Sequence, residues 1–245
     1  MTYRKLIEGF EKFRAEYFDS PRKSDYERLV KEGQQPETLV IACSDSRIDP
    51  AILTDSHPGE FFAIRNVAAI VPPYNKDGTL LGTSSAIEYA VRFLKVKHIV
   101  VLGHAGCGGV QALATENYQA TEHHNFQFLN HWLGIGENAR NVIQNSLKDA
   151  DPKELLTCLE KAMIIVSLEN LLGFPWIKDK FDRQEIFIHG WYYDMCKGNL
   201  LEYDPTPGRF KNISTSQNTA KQNIAHYNLE HFSQNYLPLD RDQGD

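Results

Sequence analysis

Cysteine and histidine are side chains that zinc prefers as ligands, and three of them in this 245-residue chain are grouped by their positions: Cys43, His104 and Cys107. Cys43 directly follows one apolar run, and the segment 104–107 directly follows another. Zinc favours thiolate sulfur and imidazole nitrogen in a tetrahedral site, and a catalytic zinc keeps its fourth position for water or substrate. A set of three protein ligands therefore predicts a catalytic zinc site rather than a structural one.

Each of these residues taken alone has an ordinary structural explanation. Free cysteine is among the most buried residue types, and a His-x-x-Cys pattern recurs by chance. The prediction rests on the coincidence of two such loops at one edge of a sheet. Glycines 106, 108 and 109 also let the second loop turn tightly and place Cys107 near a helix N-terminus, where backbone amides favour a thiolate.

Asp45 and Arg47 alternate with serines in Cys43-Ser44-Asp45-Ser46-Arg47. An extended loop would therefore point both side chains the same way as Cys43. Such a carboxylate could accept a proton from water at the metal. Without the adjoining ligands the pair would be an ordinary loop salt bridge, which contributes little when exposed. Beside a zinc ligand, we predict that both residues take part in the chemistry.

Hydrophobic patterns predict the elements that position these loops. Apolar runs predict buried parallel strands at 39–42, 61–64, 98–102 and 185–188. Helical spacing is found at 1–18, 107–114 and 126–147, and from Pro152 to Gly173. This alternation predicts an α/β fold with a central, mostly parallel β-sheet flanked by helices. Ligands of such sheets bind beyond the carboxyl ends of the strands, which is where the two loops stand.

We expect a single domain over residues 1–245, with no internal repeat or Gly/Ser linker. It divides into an N-terminal helical arm (1–35), a catalytic α/β core (36–211) and a polar C-terminal extension (212–245). Phe10, Phe13 and Phe18 in the arm predict that it clasps a second subunit, because a lone chain would leave this apolar stripe uncovered.

Bulk composition excludes several classes of protein. Hydrophobic residues at 42% and charged residues at 24% are typical of a globular chain, and a net charge of −6 argues against nucleic acid as a partner. No apolar stretch is long enough to span a membrane, and the start lacks a signal-peptide pattern, so we expect a cytoplasmic protein. In that compartment disulfides are improbable, and Cys158 and Cys196 are predicted to be packed thiols.

The two loops resemble the signature of the β-carbonic anhydrases. Similar stretches are Cys43-Ser44-Asp45-Ser46-Arg47, Gly103-His104-Ala105-Gly106-Cys107-Gly108-Gly109, Arg65-Asn66-Val67-Ala68 and His189-Gly190-Trp191-Tyr192-Tyr193-Asp194, within about residues 30–205. The resemblance implies reversible hydration of carbon dioxide to bicarbonate and a proton by zinc-bound hydroxide. One Zn²⁺ per subunit would be held by Cys43, His104 and Cys107.

The resemblance also implies roles for the neighbouring residues. Asp45 would accept the hydrogen bond of the fourth zinc ligand, and Arg47 would orient Asp45 through a salt bridge. The substrate pocket would be lined by Gln34, Phe62 and Tyr89, contributed by the partner subunit, with Val67 and Gly108 nearby. A homodimer or a higher homo-oligomer with sites at the subunit interface is therefore expected.

Val40 distinguishes two subgroups of this family. The bicarbonate-gated bacterial members carry Trp at this position, as part of an inhibitory pocket whose Arg and Tyr match Arg65 and Tyr193. The sequence is more similar to the plant-type members, whose site is open. Phe93 replaces the His that plant-type members can use to move protons, so the proton route is unassigned.

Other functions and residues stay open. A carbon disulfide or carbonyl sulfide hydrolase resembles this family in ligands and fold, and a non-catalytic zinc-binding protein would keep the metal for folding. The Asp45–Arg47 pair argues against the latter. His123, His124 and His131 could move protons or could belong to a solvated helix face, and His189 is expected to be structural.

Overall fold

The computed structural model describes residues 2–77, 81–116, 126–213 and 227–235. Its strands are β1 Thr38–Cys43, β2 Phe61–Asn66, β3 His98–His104, β4 Phe187–Asp194, β5 Asn199–Asp204 and β6 Arg209–Asn212. Its helices are α1 Tyr3–Tyr17, α2 Lys23–Glu32, α3 Pro50–Leu53, α4 Leu81–Glu88, α5 Gly108–Thr115, α6 Gln127–Gly134, α7 Glu137–Ser146, α8 Pro152–Leu172, α9 Pro175–Asp182 and α10 Leu229–Asn235. A π-helical segment, Tyr89–Leu94, continues α4.

The six strands form one sheet in the order β2-β1-β3-β4-β5-β6. The first four are parallel, whereas β5 and β6 run antiparallel to their neighbours. This confirms the predicted α/β fold with a mostly parallel sheet. Strands β1 and β3 are apolar without alternation because both of their faces are covered. Their register pairs Ala42 with Leu102, so Cys43 and the end of β3 lie at the same edge of the sheet.

Helix α8 crosses the sheet over β3 and β4 and is buried at every position from 158 to 168. Two glycines of the strands allow this close approach. A Cβ at Gly103 or Gly190 would lie 2.8 or 2.9 Å from side-chain atoms of Ile164. Larger residues would therefore push α8 away from the strand that carries His104.

The predicted N-terminal arm is present as α1 and α2, neither of which has a buried residue. Its inner side is an aromatic cluster in which Phe13, Tyr17 and Phe18 contact Tyr26. Its outer side leaves large apolar side chains exposed: Tyr3, Leu6, Ile7 and Phe10. The arm thus has a cluster of its own and an uncovered apolar face.

The structure differs from the sequence prediction after residue 126. The single helix expected at 126–147 is two helices, because the chain turns at Gly136, where a Cβ would lie 2.5 Å from the sulfur of Met163. Strands β5 and β6 and helices α9 and α10 were not predicted. Helix α10 packs on α7 and α8, so the described end of the C-terminal extension docks on the core through Tyr227, Leu229 and Phe232.

His123 and His124, which could move protons or belong to a solvated helix face, and most of the C-terminal extension lie outside the described residues. The described helices include none that is both long and apolar enough to cross a membrane.

Candidate zinc site and active centre

The three predicted ligands come together at the carboxyl edge of the sheet. Cys43 ends β1, His104 ends β3, and Cys107 precedes the first turn of α5. Their ligand atoms all lie within 4.8 Å of one another, and the two sulfurs are 3.9 Å apart. Two sulfurs at about 2.3 Å from a tetrahedral zinc would be roughly 3.8 Å apart. All three residues are buried.

The ring of His104 is oriented for metal binding. Its Nδ1 lies 3.0 Å from the carbonyl oxygen of Ala105, which can only accept, so Nδ1 is the donor and Nε2 carries the lone pair. Nε2 is buried and has no hydrogen-bond partner of normal geometry among the described residues. An unsatisfied buried polar atom costs about 1–3 kcal/mol. A metal ion at Nε2 removes that cost, so the site fits zinc.

The two thiols also favour a cation. The hydrogen bond with Cys107, together with those of His104 and the Asp45 amide, lowers the pKa of the Cys43 thiol to about 4 against the effect of burial. The hydrogen bond to Cys43, burial and the Cys43 charge raise the pKa of Cys107 far above its usual value. Ionisation of one thiol therefore disfavours ionisation of the other. A divalent ion allows both to ionise.

Asp45 lies beside the ligands and is held by Arg47. The Arg47 backbone amide and Nε each donate to Asp45 Oδ1 at 2.9 Å, and a terminal nitrogen donates to Oδ2 at 2.6 Å. These hydrogen bonds keep the pKa of the Asp45 carboxyl well below its usual range. The same guanidinium donates to the carbonyl of Gly106 at 2.7 Å, so it connects the two ligand loops. Asp45 Oδ2 is 4.0 Å from His104 Nε2.

Arg65 fixes the backbone of the first ligand loop. It donates to the carbonyl oxygens of Cys43 at 3.0 Å, Asp45 at 2.8 Å and Ile48 at 2.6 Å, and it pairs with Asp49 at 3.1 Å. The motif Arg65-Asn66-Val67-Ala68 marked this residue in the sequence, but the loop contacts could not be inferred from the motif. They give Arg65 a positioning role beside the metal ligand.

Glu160 was missed by the sequence analysis. Its carboxylate, on the buried stretch of α8, accepts the backbone amide of Cys107 at 3.0 Å and the hydroxyl of Tyr192 at 2.8 Å. Glu160 is 3% exposed and burial raises its pKa, although these hydrogen bonds oppose the shift. The signal in the sequence is the charged pair Glu160-Lys161 inside the mostly apolar stretch 158–168 of the helix. Lys161 lies over the rings of Tyr192 and Phe210.

The structure places two of the predicted pocket residues beside the ligands. Val67 packs against α5, because a Cβ at Gly109 would lie 2.8 Å from Val67 Cγ1. The carbonyl of Val67 accepts the indole N–H of Trp132 at 2.8 Å. Gly108 follows Cys107 directly, and a Cβ there would meet nothing within 4 Å. Val67 and Gly108 therefore border open space next to Cys43, His104 and Cys107, called the ligand row below.

The other three predicted pocket residues are not brought to the ligands of their own chain. Phe62 is the register partner of Leu39, which is four residues before Cys43 and so about 13 Å down the strand. Its ring contacts Tyr89 at 5.7 Å, and Tyr89 stacks on Phe93 at 4.8 Å. Gln34 is exposed and precedes β1.

A Cys-His-Cys donor set beside an Asp–Arg pair at the carboxyl edge of a parallel sheet defines an α/β metalloenzyme site. The protein-family model described as "Carbonic anhydrase" matches residues 38–200 of this chain. A carbonic anhydrase of Synechocystis sp. (strain ATCC 27184 / PCC 6803 / Kazusa) is 34% identical over 200 residues, which are 82% of this chain and 70% of that protein.

Solved structures agree with the sequence match. The structure of the β-carbonic anhydrase CcaA is 33% identical at a TM-score of 0.79, covering 88% of this chain and 93% of that one. One of two tetrameric β-carbonic anhydrases of Sordaria macrospora is 28% identical at a TM-score of 0.63, covering 81% and 92%. This chain belongs to the β-carbonic anhydrase family. Its reaction is the reversible hydration of carbon dioxide, a lyase reaction.

Proposed function

We propose that this chain is a zinc-dependent carbonic anhydrase of the plant-type, open-site subgroup, with a site completed by a second subunit. The observation that carries the proposal is the triple hydrogen bond from Arg47 to Asp45, which holds the carboxylate beside the three ligand atoms. Val40 supports the same subgroup, because the gated members have Trp there. Arg65, which matches the Arg of the inhibitory pocket in the gated members, supports it too, because its guanidinium instead binds loop carbonyls and Asp49.

In this proposal each residue has a defined task. Zinc held by Cys43, His104 and Cys107 would acidify a water molecule towards a pKa of ~7 and so provide the nucleophile at neutral pH. Asp45 would accept the hydrogen bond of that water, so that a lone pair of the water oxygen points at carbon dioxide. Arg47 keeps Asp45 ionised and would keep it from taking the open zinc position.

Substrate binding in the proposal relies on apolar side chains and the α5 N-terminus. Val67 excludes competing water from one side, and Gly108 leaves room for carbon dioxide next to Cys107. Backbone amides of Gly109 and Val110 at the start of α5 favour the thiolate of Cys107. Gln34, Phe62 and Tyr89 would close the pocket from the other side.

The distance of about 13 Å between Phe62 and the ligand row supports a contribution from a second copy of the chain. The exposed apolar face of α1 supports a homodimer or larger homo-oligomer in which the arm (1–35) covers the partner. We propose that residues 36–211 form the catalytic α/β core and residues 212–245 a C-terminal extension. A cytoplasmic location is supported by four free cysteines.

Mixed oligomers test the shared site. Cys43→Ser removes a zinc ligand but keeps Phe62 and Tyr89, whereas the double variant Phe62→Ala, Tyr89→Ala keeps the ligands. Each variant alone should be nearly inactive, and refolding the two together should restore hydration at sites that combine intact halves. A mixture of Cys43→Ser with His104→Ala is the matched control and should stay inactive. A mixture of the first pair without restored activity would contradict a shared site.

Zinc analysis and stopped-flow hydration of carbon dioxide test the chemistry itself. We expect one zinc per subunit and rapid hydration, and little turnover of carbon disulfide under the same conditions. Preferential turnover of carbon disulfide or carbonyl sulfide would show that this compound, and not carbon dioxide, is the substrate. Bound zinc without any turnover would indicate a non-catalytic metal protein.

A further inference from the structure

Hydration of carbon dioxide releases a proton, which has to leave the buried ligand row. A cavity of about 600 Å³ lies between the end of β2 and helix α6. Residues that line it include Asn66, Val67, Thr83, Phe128, His131 and Trp132.

One end of this cavity is lined by Asn66, on the strand next to the one that carries the ligand Cys43. Asn66 is the register partner of Cys43, one strand away, and its carbonyl accepts the amide of Ser44 at 2.8 Å. Neighbouring strands are about 4.8 Å apart, so the cavity wall starts next to a metal ligand. Val67 then continues this wall, and the hydrogen bond from Trp132 to its carbonyl ties α6 to it.

The outer end of the cavity carries an imidazole. His131 is exposed on α6, and its Nδ1 lies 2.9 Å from the carbonyl oxygen of Gln127 one turn earlier. Because a carbonyl only accepts, Nδ1 is the donor and Nε2 carries the lone pair that can take a proton. Histidine is the side chain suited to exchange protons near neutral pH.

The other histidines of the described ranges are placed differently. His98 and His189 form a hydrogen-bonded pair at 3.1 Å, with Glu202 at 2.7 Å from His189, in the amino-terminal half of β3 and β4. His57 lies in the groove between α2 and the loop before β2, and His231 lies on α10. Among these residues only His131 lines a cavity that also touches the neighbour of a zinc ligand.

We propose that His131 is a proton-transfer residue of this enzyme, working through water in the cavity between Asn66 and α6. The inference rests on the proposed carbonic anhydrase function. The proton released when water adds to carbon dioxide passes along the cavity to Nε2 of His131. A buffer base then takes it from the surface, and the imidazole returns to its neutral form.

The test is His131→Ala, measured by stopped-flow hydration in a low concentration of a buffer too bulky to enter the cavity. Positioned proton-transfer groups raise reaction rates by about 10²–10⁴-fold. Because His131 is exposed, buffer molecules can partly replace it, and we expect kcat to fall only about tenfold. kcat/KM should be unchanged, because the interconversion at the zinc site is intact. Added imidazole should restore kcat.

Phe128→Ala is the matched control, since Phe128 is 89% exposed on the same helix, lines the same cavity and carries no titratable group. It should behave like the wild type. An unchanged kcat in His131→Ala, or an equal loss in Phe128→Ala without rescue by imidazole, would overturn the proposal. An inactive wild-type enzyme would refute the carbonic anhydrase function instead, so the two failures are distinguishable.

Discussion

Replacing Glu160 by Gln tests whether a buried carboxylate on α8 positions the zinc ligand Cys107. The substitution conserves the volume of the side chain and one carbonyl oxygen. It removes the negative charge that receives both the Cys107 amide at 3.0 Å and the Tyr192 hydroxyl at 2.8 Å. One of these two donors then faces an NH₂ group and the other a neutral carbonyl oxygen, in a place that is 3% exposed.

The expected magnitude follows from these contacts. A hydrogen bond to a charged group contributes about 1.5–3 kcal/mol net. The metal-free loop can relax when the bond is weakened, whereas the zinc-bound loop has to keep Cys107 Sγ about 2.3 Å from the ion. The loss therefore falls mainly on the zinc complex. At about 1.4 kcal/mol per factor of ten, zinc affinity should fall roughly 10- to 100-fold.

Glu169 provides the control for this experiment. It lies on the same helix, is partly buried, and accepts one backbone amide, that of Leu229, at 2.9 Å. Glu169→Gln keeps a carbonyl oxygen for that amide and removes a charge that burial disfavours, so zinc affinity should be unchanged. Competition with a chromophoric chelator measures the affinity, and the visible spectrum of the cobalt-substituted enzyme reports the ligand geometry.

Two results would refute the positioning role of Glu160. The first is a Glu160→Gln variant that binds zinc as tightly as the wild type and has an unchanged cobalt spectrum. The second is an equal loss of affinity in Glu169→Gln, which would show that any weakening of α8 affects the metal.

Three further results are expected. Cys43→Ser should lose both zinc and hydration activity, because a hydroxyl oxygen replaces a thiolate ligand; metal analysis showing one zinc per subunit would contradict this. Asp45→Asn should keep its zinc but lose about 10²-fold in kcat, since an amide can no longer act as the ionised acceptor; wild-type turnover would disprove the role of Asp45. Burial raises the pKa of Glu169 in the folded state. The stability that this shift contributes is present below the unfolded pKa of about 4.3 and is lost as pH rises through the folded pKa. The free energy of unfolding, measured with denaturant as pH rises from about 4.3 through the folded pKa, should therefore decrease less in Glu169→Gln than in the wild type. An equal decrease in both proteins would exclude Glu169 as its source.

The sequence predicted the ligand-bearing part of the fold because its signals are local. An apolar run buried on both faces, such as 39–42, identifies a central parallel strand, and polar residues directly after it identify the carboxyl edge of the sheet. Cys43, His104 and Cys107 were found in this way, and the structure brings their ligand atoms within 4.8 Å of one another.

The elements that were missed have tertiary causes. Strands β5 and β6 are short and half-buried, so their pattern is weak. A turn at Gly198, whose φ is +70°, leads from β4 into the antiparallel β5, and one at Gly208, whose φ is +69°, leads from β5 into β6. Between α6 and α7, Met163 of α8 leaves no space for a side chain at Gly136, and this packing cannot be read from residues near in sequence.

Glu160 shows why the surroundings of a metal site are harder to predict than its ligands. A carboxylate in an apolar helix has no local partner, and its acceptors are used by an amide 53 residues earlier and a hydroxyl 32 residues later. Burial of such a group is costly unless it is hydrogen-bonded. A charged residue inside a helix that is otherwise apolar on all sides therefore predicts a buried polar partner. In this fold the nearest polar groups are those of the ligand loop, because Gly103 and Gly190 bring α8 directly onto β3 and β4.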